Sequence, residues 1–341
     1  MSNLLIVGNG FDTAHGLETR YCDFREYLFN QATGSEYTKE SKIENPKLPD
    51  VHIHTGKGIL YSLEKDCGYV FSLIDEAAKG EKQPDLEWNK FEELLGKLNY
   101  RKALEENSFD ELVYMGIRDS LGTLENIFFE WIKTVTIDGL SKKKFLEVFI
   151  NPEKDLLVNF NYTETAEVVY GMDERNICYI HGKREMDTEL IEKYHMTSFG
   201  VGNRKLIIGY DGNNYNPKKR YSKYKDSKKY GMLVTLDTEL MKRTEEVVYE
   251  NRDYFKKISE TDIQNVLSFG FSFSGVDIPQ IKAICEALNG ENKNTKKMTW
   301  YLNDYDKKKN RRFKRIIRKC GYRGRFKLYE SENKKIYTRF Y

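Results

Sequence analysis

Asn3-Leu4-Leu5-Ile6-Val7-Gly8-Asn9-Gly10-Phe11-Asp12 stands near the start of the chain and decides how the rest is read. An unbroken apolar run closed by a glycine turn predicts a strand buried on both faces, the kind found in parallel sheets. The amphipathic segment Tyr21 to Phe29 follows with helical spacing, so the opening reads as strand, glycine turn, helix. In open α/β sheets ligands bind at the carboxyl ends of the strands, which is where this turn falls.

The same pattern recurs outward. Leu156 to Phe160 reads as a strand, Glu164 to Tyr170 as a helix and Ile177 to Ile180 as a second strand ending at His181-Gly182. That is a β-α-β unit. Asn265 to Phe269, closed by Gly270, precedes a helix at Ile278 to Leu288, a strand at Met298 to Leu302, a basic helix at Lys307 to Lys319 and a last strand near Phe326 to Tyr329. Between these sheet segments, Leu60 to Ala78, Trp88 to Leu98 and Leu121 to Ile132 carry helical spacing and read as an inserted helical cap, with Trp88, Phe91 and Trp131 as packing residues. The polar stretch Lys183 to Gly231, with one expected strand at Leu206-Ile207-Ile208, suits a lid or a partner-binding loop, and a single long helix is expected from Leu236 to Lys257. The fold class is therefore α/β, a Rossmann-like parallel sheet with a helical insertion: a nucleotide-binding core over residues 1–57 and 151–341, and an insertion over 58–150.

Composition narrows the function. The 341 residues hold 56 Lys and Arg against 53 Asp and Glu, which argues against a protein that coats nucleic acid over its whole surface. Two local runs differ: Lys218 to Lys229, interleaved with tyrosine, and Lys307 to Arg325. Either can meet phosphates of a nucleic acid, and either can be a solvated face. Cys22, Cys67, Cys178, Cys285 and Cys320 include no CxxC pair, so neither a disulfide framework nor a structural zinc site is indicated. His52 and His54 lack accompanying acidic or thiol ligands nearby, and no metal is expected. No segment has membrane-spanning length and no signal peptide is evident, so a cytoplasmic protein is expected; a homo-oligomer is compatible with the sequence.

Four turns offer chemistry. Gly8-Asn9-Gly10 allows backbone amides to approach a phosphate, although the complete GxGxxG fingerprint is absent and a plain tight turn explains it equally well. Asp12 suits a ribose hydroxyl or a developing positive charge, or else a helix N-cap. Asn161 and Thr163 follow the second strand, where Asn161 can hold a ribose hydroxyl or a water, or both can simply cap the next helix. His181, after the third strand, titrates near neutrality and suits proton transfer. Gly270 to Asp277 adds Ser272, Ser274 and Asp277.

The stretch Gly8-Asn9-Gly10-Phe11-Asp12, continuing through His15-Gly16-Leu17, Thr19, Tyr21 and Phe24, resembles the opening signature of the AbiH family of bacterial abortive-infection proteins. Trp88, Phe91, Glu92, Asn159 to Thr163 with Thr165 and Glu167, His181-Gly182, Ile207 to Gly209 and Gly270 to Asp277 extend the likeness over most of the chain. Membership implies defence against phage, with activity restrained until a phage-derived trigger arrives. The order of glycine turn, Asn turn, His-Gly and Gly-x-Ser is also similar to sirtuins and to sirtuin-like NAD hydrolases. That resemblance implies NAD as substrate, with Gly8 and Gly10 in the glycine-rich motif, Asn161 on the ribose, His181 catalytic and Gly270 with Ser272 as a later nucleotide contact; Asp12 is expected beside them as a further catalytic group, and Asn9, Phe11, His15, Thr19, Thr163 and Asp277 as further nucleotide contacts. Thr163 replaces the aspartate of sirtuins and no zinc-binding cysteine pairs follow His181, so protein deacylation is not implied. The expected function is cleavage of the nicotinamide–ribose bond of NAD in phage defence. A nucleic-acid-directed toxin using the basic segments, an RNase or a DNA or RNA binder, and a non-catalytic nucleotide sensor are the competing readings.

Overall fold

The computed structural model describes residues 2–38, 41–43, 63–78, 88–98, 100, 104, 111–184, 206–212, 216–225, 228–290, 297–303 and 307–329. The chain forms two compact units, one from Met1–Glu18, Val135–Leu206 and Arg243–Tyr341, the other from Thr19–Thr134 and Ile207–Lys242. His52 and His54 lie outside the described residues.

The first unit is built on six strands: β1 (Ser2–Val7), β2 (Leu156–Asn159), β3 (Ile177–Tyr179), β4 (Ile263–Phe269), β5 (Thr299–Asn303) and β6 (Arg325–Tyr329). Their spatial order is β3-β2-β1-β4-β5-β6 and every neighbouring pair is parallel. This is the 3-2-1-4-5-6 order of the Rossmann-like class, so the reading from the apolar strands holds. Leu4 to Val7 and all of β2 and β5 are buried, as strands covered on both faces must be. Edge strand β6 exposes Arg325 and Lys327, charges that discourage further strand pairing.

Among the described residues the α-helices longer than four residues are α1 (Asn9–Ala14), α2 (Tyr21–Thr33), α3 (Leu63–Ala77), α4 (Trp88–Leu95), α5 (Glu111–Thr134), α6 (Thr165–Tyr170), α7 (Lys228–Glu239), α8 (Thr244–Glu250), α9 (Arg252–Glu260), α10 (Ile278–Leu288) and α11 (Lys307–Lys319). Among the described residues no helix is long and apolar enough to cross a membrane.

The second unit gathers α2 to α5 and α7. Its core is aromatic: Phe24 lies 5.4 Å from Phe128 and 5.0 Å from Trp131, and Tyr21 5.0 Å from Phe91, centroid to centroid. Trp88 closes the cluster and donates its indole N–H to the Thr19 carbonyl at 2.6 Å. These are the packing roles expected for Trp88, Phe91 and Trp131. Because α2 packs along α3, the described residues after Glu18 in the expected 1–57 core segment group with the helices, as do those of 207–242; residues 135–150 group with the sheet.

Two elements differ from expectation. Leu206 to Ile208 is not a strand; pairing starts two residues later, at Tyr210–Asp211, parallel to Met241–Lys242. The Leu240 carbonyl accepts the Tyr210 N–H at 2.9 Å, which takes it out of a helical ladder. The long helix expected from Leu236 to Lys257 is for that reason split into the end of α7, the Met241–Lys242 strand, α8 and most of α9. Apolar periodicity runs across these breaks and conceals them.

Candidate functional site

Register brings four strand ends level. Val7 lies opposite Asn159 on one side and Phe269 on the other, and Asn159 lies opposite Tyr179. The turns after β1, β2, β3 and β4 therefore leave the sheet side by side. Strand order reverses between β1 and β4, the place where sheets of this class bind ligands.

At that reversal the two glycine turns cross in backbone contact. The Gly8 N–H donates to the Phe269 carbonyl at 3.2 Å and the Gly10 N–H to the Gly270 carbonyl at 3.0 Å. A Cβ on Gly10 would stand 2.5 Å from Gly270 Cα, and one on Gly270 2.3 Å from the Gly10 carbonyl carbon. Gly270 also holds φ +62°, so the crossing itself demands glycine on both sides. The Phe11 N–H is turned back to the Gly8 carbonyl at 2.8 Å. The Gly8 and Gly10 amides of the turn expected to meet a phosphate are thus engaged within the protein, as is the Phe11 amide after it. Asn9 begins α1 and is half-buried.

Asp12 is not a cap. It lies inside α1, whose N-cap is Gly8, and is 1 % exposed. Thr163 donates its hydroxyl to Asp12 Oδ2 at 2.6 Å and Thr165 donates to Oδ1 at 2.9 Å. Burial pushes the Asp12 carboxyl up to about 7, against the opposing pull of the two hydroxyls and of the Arg184 charge. The loop after β2 is tied down around it. Asn159 accepts the Asn161 N–H at 2.9 Å and donates to the Thr163 carbonyl at 3.1 Å, while Asn161 Nδ2 donates to the Gly8 carbonyl at 3.0 Å. Asn161 and Thr163 therefore do not cap α6, which begins after Glu164 with no side-chain cap bond.

His181 follows β3 and turns its Nε2 toward Asp277 Oδ1, 3.5 Å away. Ser274 donates its hydroxyl to the other Asp277 oxygen at 2.7 Å, which fixes the carboxylate facing the imidazole. Phe160 packs against the His181 ring at 5.4 Å, and Phe271 lies 4.3 Å from Phe160. A Cβ at Gly8 would come within 3.0 Å of the Phe271 ring, so aromatic carbon occupies the ground beside the glycine turn. His181 is 3 % and Asn161 5 % exposed. The 271–274 loop carries strain, since Phe273 sits at φ +50° where bulky residues are outliers, and Ser272 on that loop is half-buried.

The remaining expected contacts are used elsewhere. His15 accepts or donates at both nitrogens within the protein, with Nδ1 2.7 Å from the Phe11 carbonyl and Nε2 2.8 Å from the Tyr170 hydroxyl. Because a carbonyl only accepts, Nδ1 carries the proton and the Tyr170 hydroxyl donates to Nε2 while accepting the Lys143 N–H at 3.0 Å. Burial lowers the His15 pKa, in keeping with this neutral ring. Phe11 packs its ring 4.7 Å from His15 and 6.2 Å from Phe269, in the core. Thr19 belongs to the second unit.

Three features had no counterpart among the expected contacts. Thr165 supplies the second hydroxyl to Asp12; it stands among the residues of the family likeness without an expected place in the site. Arg184 forms a fork with Glu164, Nε to Oε2 at 2.9 Å, and donates to the Val135 carbonyl; nothing local in the sequence pairs them. Gln280, in the first turn of α10, is fully buried with neither amide atom hydrogen-bonded among the described residues. Such an amide is costly and uncommon.

Residues 4–304 match the family model described as bacteriophage abortive infection AbiH, a span that takes in every turn from Gly8 to Asp277. No curated protein and no solved structure matches the chain. The chain belongs to the AbiH family of bacteriophage abortive-infection proteins.

Proposed function

We propose that this abortive-infection protein cleaves NAD at the nicotinamide–ribose bond. The observation that carries the reading is the meeting of four sheet-end turns at the strand reversal, where Asn161 is bonded to the Gly8 turn and a buried imidazole faces a fixed carboxylate. Cleavage passes through an oxocarbenium-like state in which the electron pair of the ribose–nitrogen bond leaves with neutral nicotinamide, so no strong leaving-group acid is needed. Water adds to the ribose carbon and loses its proton to His181, giving ADP-ribose. Asp277 holds the imidazole in orientation and stabilises the imidazolium that forms, Asn161 positions ribose hydroxyl or water, and Asp12 anchors the loop that carries Asn161.

The burial of His181 and Asn161 means that the dinucleotide reaches them after the Phe271 loop moves. This closed state is the restraint that a toxic activity requires, and the strain at Phe273 lowers the cost of leaving it. Incubating purified protein with NAD and following free nicotinamide by chromatography tests the proposal. Turnover lost in His181→Ala and Asn161→Ala and slowed at least tenfold in Asp277→Asn supports it. NAD bound without turnover, with the nucleotide resolved in a soaked crystal, replaces it with a nucleotide sensor.

A further inference from the structure

We propose that the face formed by α11 and β6 binds the phosphodiester backbone of duplex nucleic acid. Residues 307–329 contain twelve Lys and Arg and no acid; the other residues hold 44 bases and 53 acids, a net charge of −9. The small net charge of the whole chain thus conceals a strong segregation of sign. The structure puts these cations outside. Lys309, Arg311, Arg312, Arg315, Arg318 and Lys319 on α11 are exposed, and Arg323, Arg325 and Lys327 continue the surface onto edge strand β6.

The apolar side of α11 is already used. Phe313 and Ile317 are buried, with Phe313 packed 4.8 Å from Phe273. A basic helix that lies in a membrane surface needs that side free to insert, so the complement of this face is a polyanion in water. Among the described residues of this face no aromatic ring is fully exposed for a base to stack on: Tyr322 is buried, and Phe326 is covered by Arg318 at 4.8 Å. Single-strand binders rely on such platforms, whereas a duplex backbone needs only spaced cations. Arg318 also donates to the Tyr322 and Gly324 carbonyls at 2.9 and 2.8 Å, which fixes the end of the helix against the strand.

The other basic segment also exposes Lys218, Lys219, Lys223 and Lys225, but its charge is interrupted, since Lys228 pairs with Glu111. Arg220 is drawn to buried Asp237 and to the Gly96 carbonyl, and Tyr221 is 4 % exposed.

The test is fluorescence anisotropy of the full chain with labelled 24-base-pair duplexes of two unrelated sequences, in DNA and RNA forms, from 50 to 200 mM salt. Neutralising about five phosphates gives a fall in affinity of about 10²–10³-fold over that range. The two sequences bind within about twofold of each other, and Arg311→Gln/Arg312→Gln/Arg315→Gln weakens binding at least tenfold with a flatter salt slope. Lys218→Gln/Lys219→Gln/Lys223→Gln leaves binding unchanged. Circular dichroism melts verify that both surface variants stay folded. Absence of salt-dependent duplex binding, equal loss in both variants, tighter binding to a single strand, or tighter binding to vesicles containing anionic lipid each overturns the proposal.

Discussion

Replacing Asp12 by Asn separates the charge of the buried carboxyl from its hydrogen bonds. In the wild type the folded-state value is about 7, against an ordinary 3.8, and burial is the main cause. Below 3.8 both folded and unfolded chains hold the proton and the shift has no effect. From about 4 to about 7 the unfolded chain releases the proton while the folded chain keeps it, so stability falls as pH rises; above about 7 the loss is complete and constant. The full difference corresponds to about 4 kcal/mol, of which about 3 kcal/mol falls between pH 4.5 and pH 8. The amide of Asn keeps one acceptor for one threonine hydroxyl and makes the other threonine turn to accept, a cost of about 1 kcal/mol independent of pH. Asp12→Asn is therefore about as stable as wild type at pH 4.5 and about 3 kcal/mol more stable at pH 8. Native-state hydrogen exchange of β1 and β2 amides, measured for both proteins at each pH so that intrinsic exchange cancels, reads the difference within the right unit. A difference that stays flat across pH, or a wild type more stable at pH 8, refutes the reasoning.

Other substitutions probe separate joints. Gly10→Ala and Gly270→Ala force a Cβ to 2.5 and 2.3 Å from backbone, so each costs about 3 kcal/mol or more and leaves little soluble protein, whereas Gly16→Ala, at φ +89° with nothing within 4 Å, costs about 1–2 kcal/mol. Yield and urea unfolding distinguish the two classes. Tyr170→Phe strips the partner from His15 Nε2 and from the Lys143 N–H and costs about 1–3 kcal/mol in a thermal melt. Arg220→Met leaves Asp237 buried without its partner, costing about 3–5 kcal/mol at neutral pH. Burial already raises Asp237 to about 6, so this penalty shrinks as pH falls toward 5 and the carboxyl takes up its proton; unfolding at both pH values checks it.

The sheet was legible because its strands announce themselves. Leu4 to Val7 and Leu156 to Val158 are apolar on consecutive residues and Val266 to Phe269 is broken only by Ser268; runs this short closed by glycine or asparagine turns point to buried parallel strands rather than to helices. The four turns could be placed at one edge for the same reason, since parallel strands all end on one side. What could not be read was which atoms the turns use. The choice between Asn161 as a cap and Asn161 as a tie to Gly8 depends on a bond spanning 153 residues, and the Ser274–Asp277–His181 arrangement depends on the depth at which two loops meet. The split of the expected Leu236–Lys257 helix was hidden because a strand of two residues is too short to interrupt a helical pattern.

The glycine motif that first draws notice is weaker evidence for a ligand than the residues behind it. Gly8, Gly10 and Gly270 are explained by the crossing of two turns, which would demand glycine whether or not a nucleotide ever arrived. His181 and Asp277 have no such explanation. Burying an imidazole against a carboxylate desolvates both groups, and a well-packed apolar pair of the same volume would hold these loops at least as firmly. The fully buried Gln280 amide, one helical turn after Asp277, adds a second polar cost in the same stretch. Costs of this kind that packing does not need cluster where a protein does chemistry or binds a polar partner. Hence Asp277→Leu with His181→Phe, which removes the buried pair in one step, leaves stability unchanged or raises it by about 1–4 kcal/mol if the pair serves function. A loss of several kcal/mol in the double variant, with the loops still ordered in each single variant, shows instead that the pair is there to hold the fold.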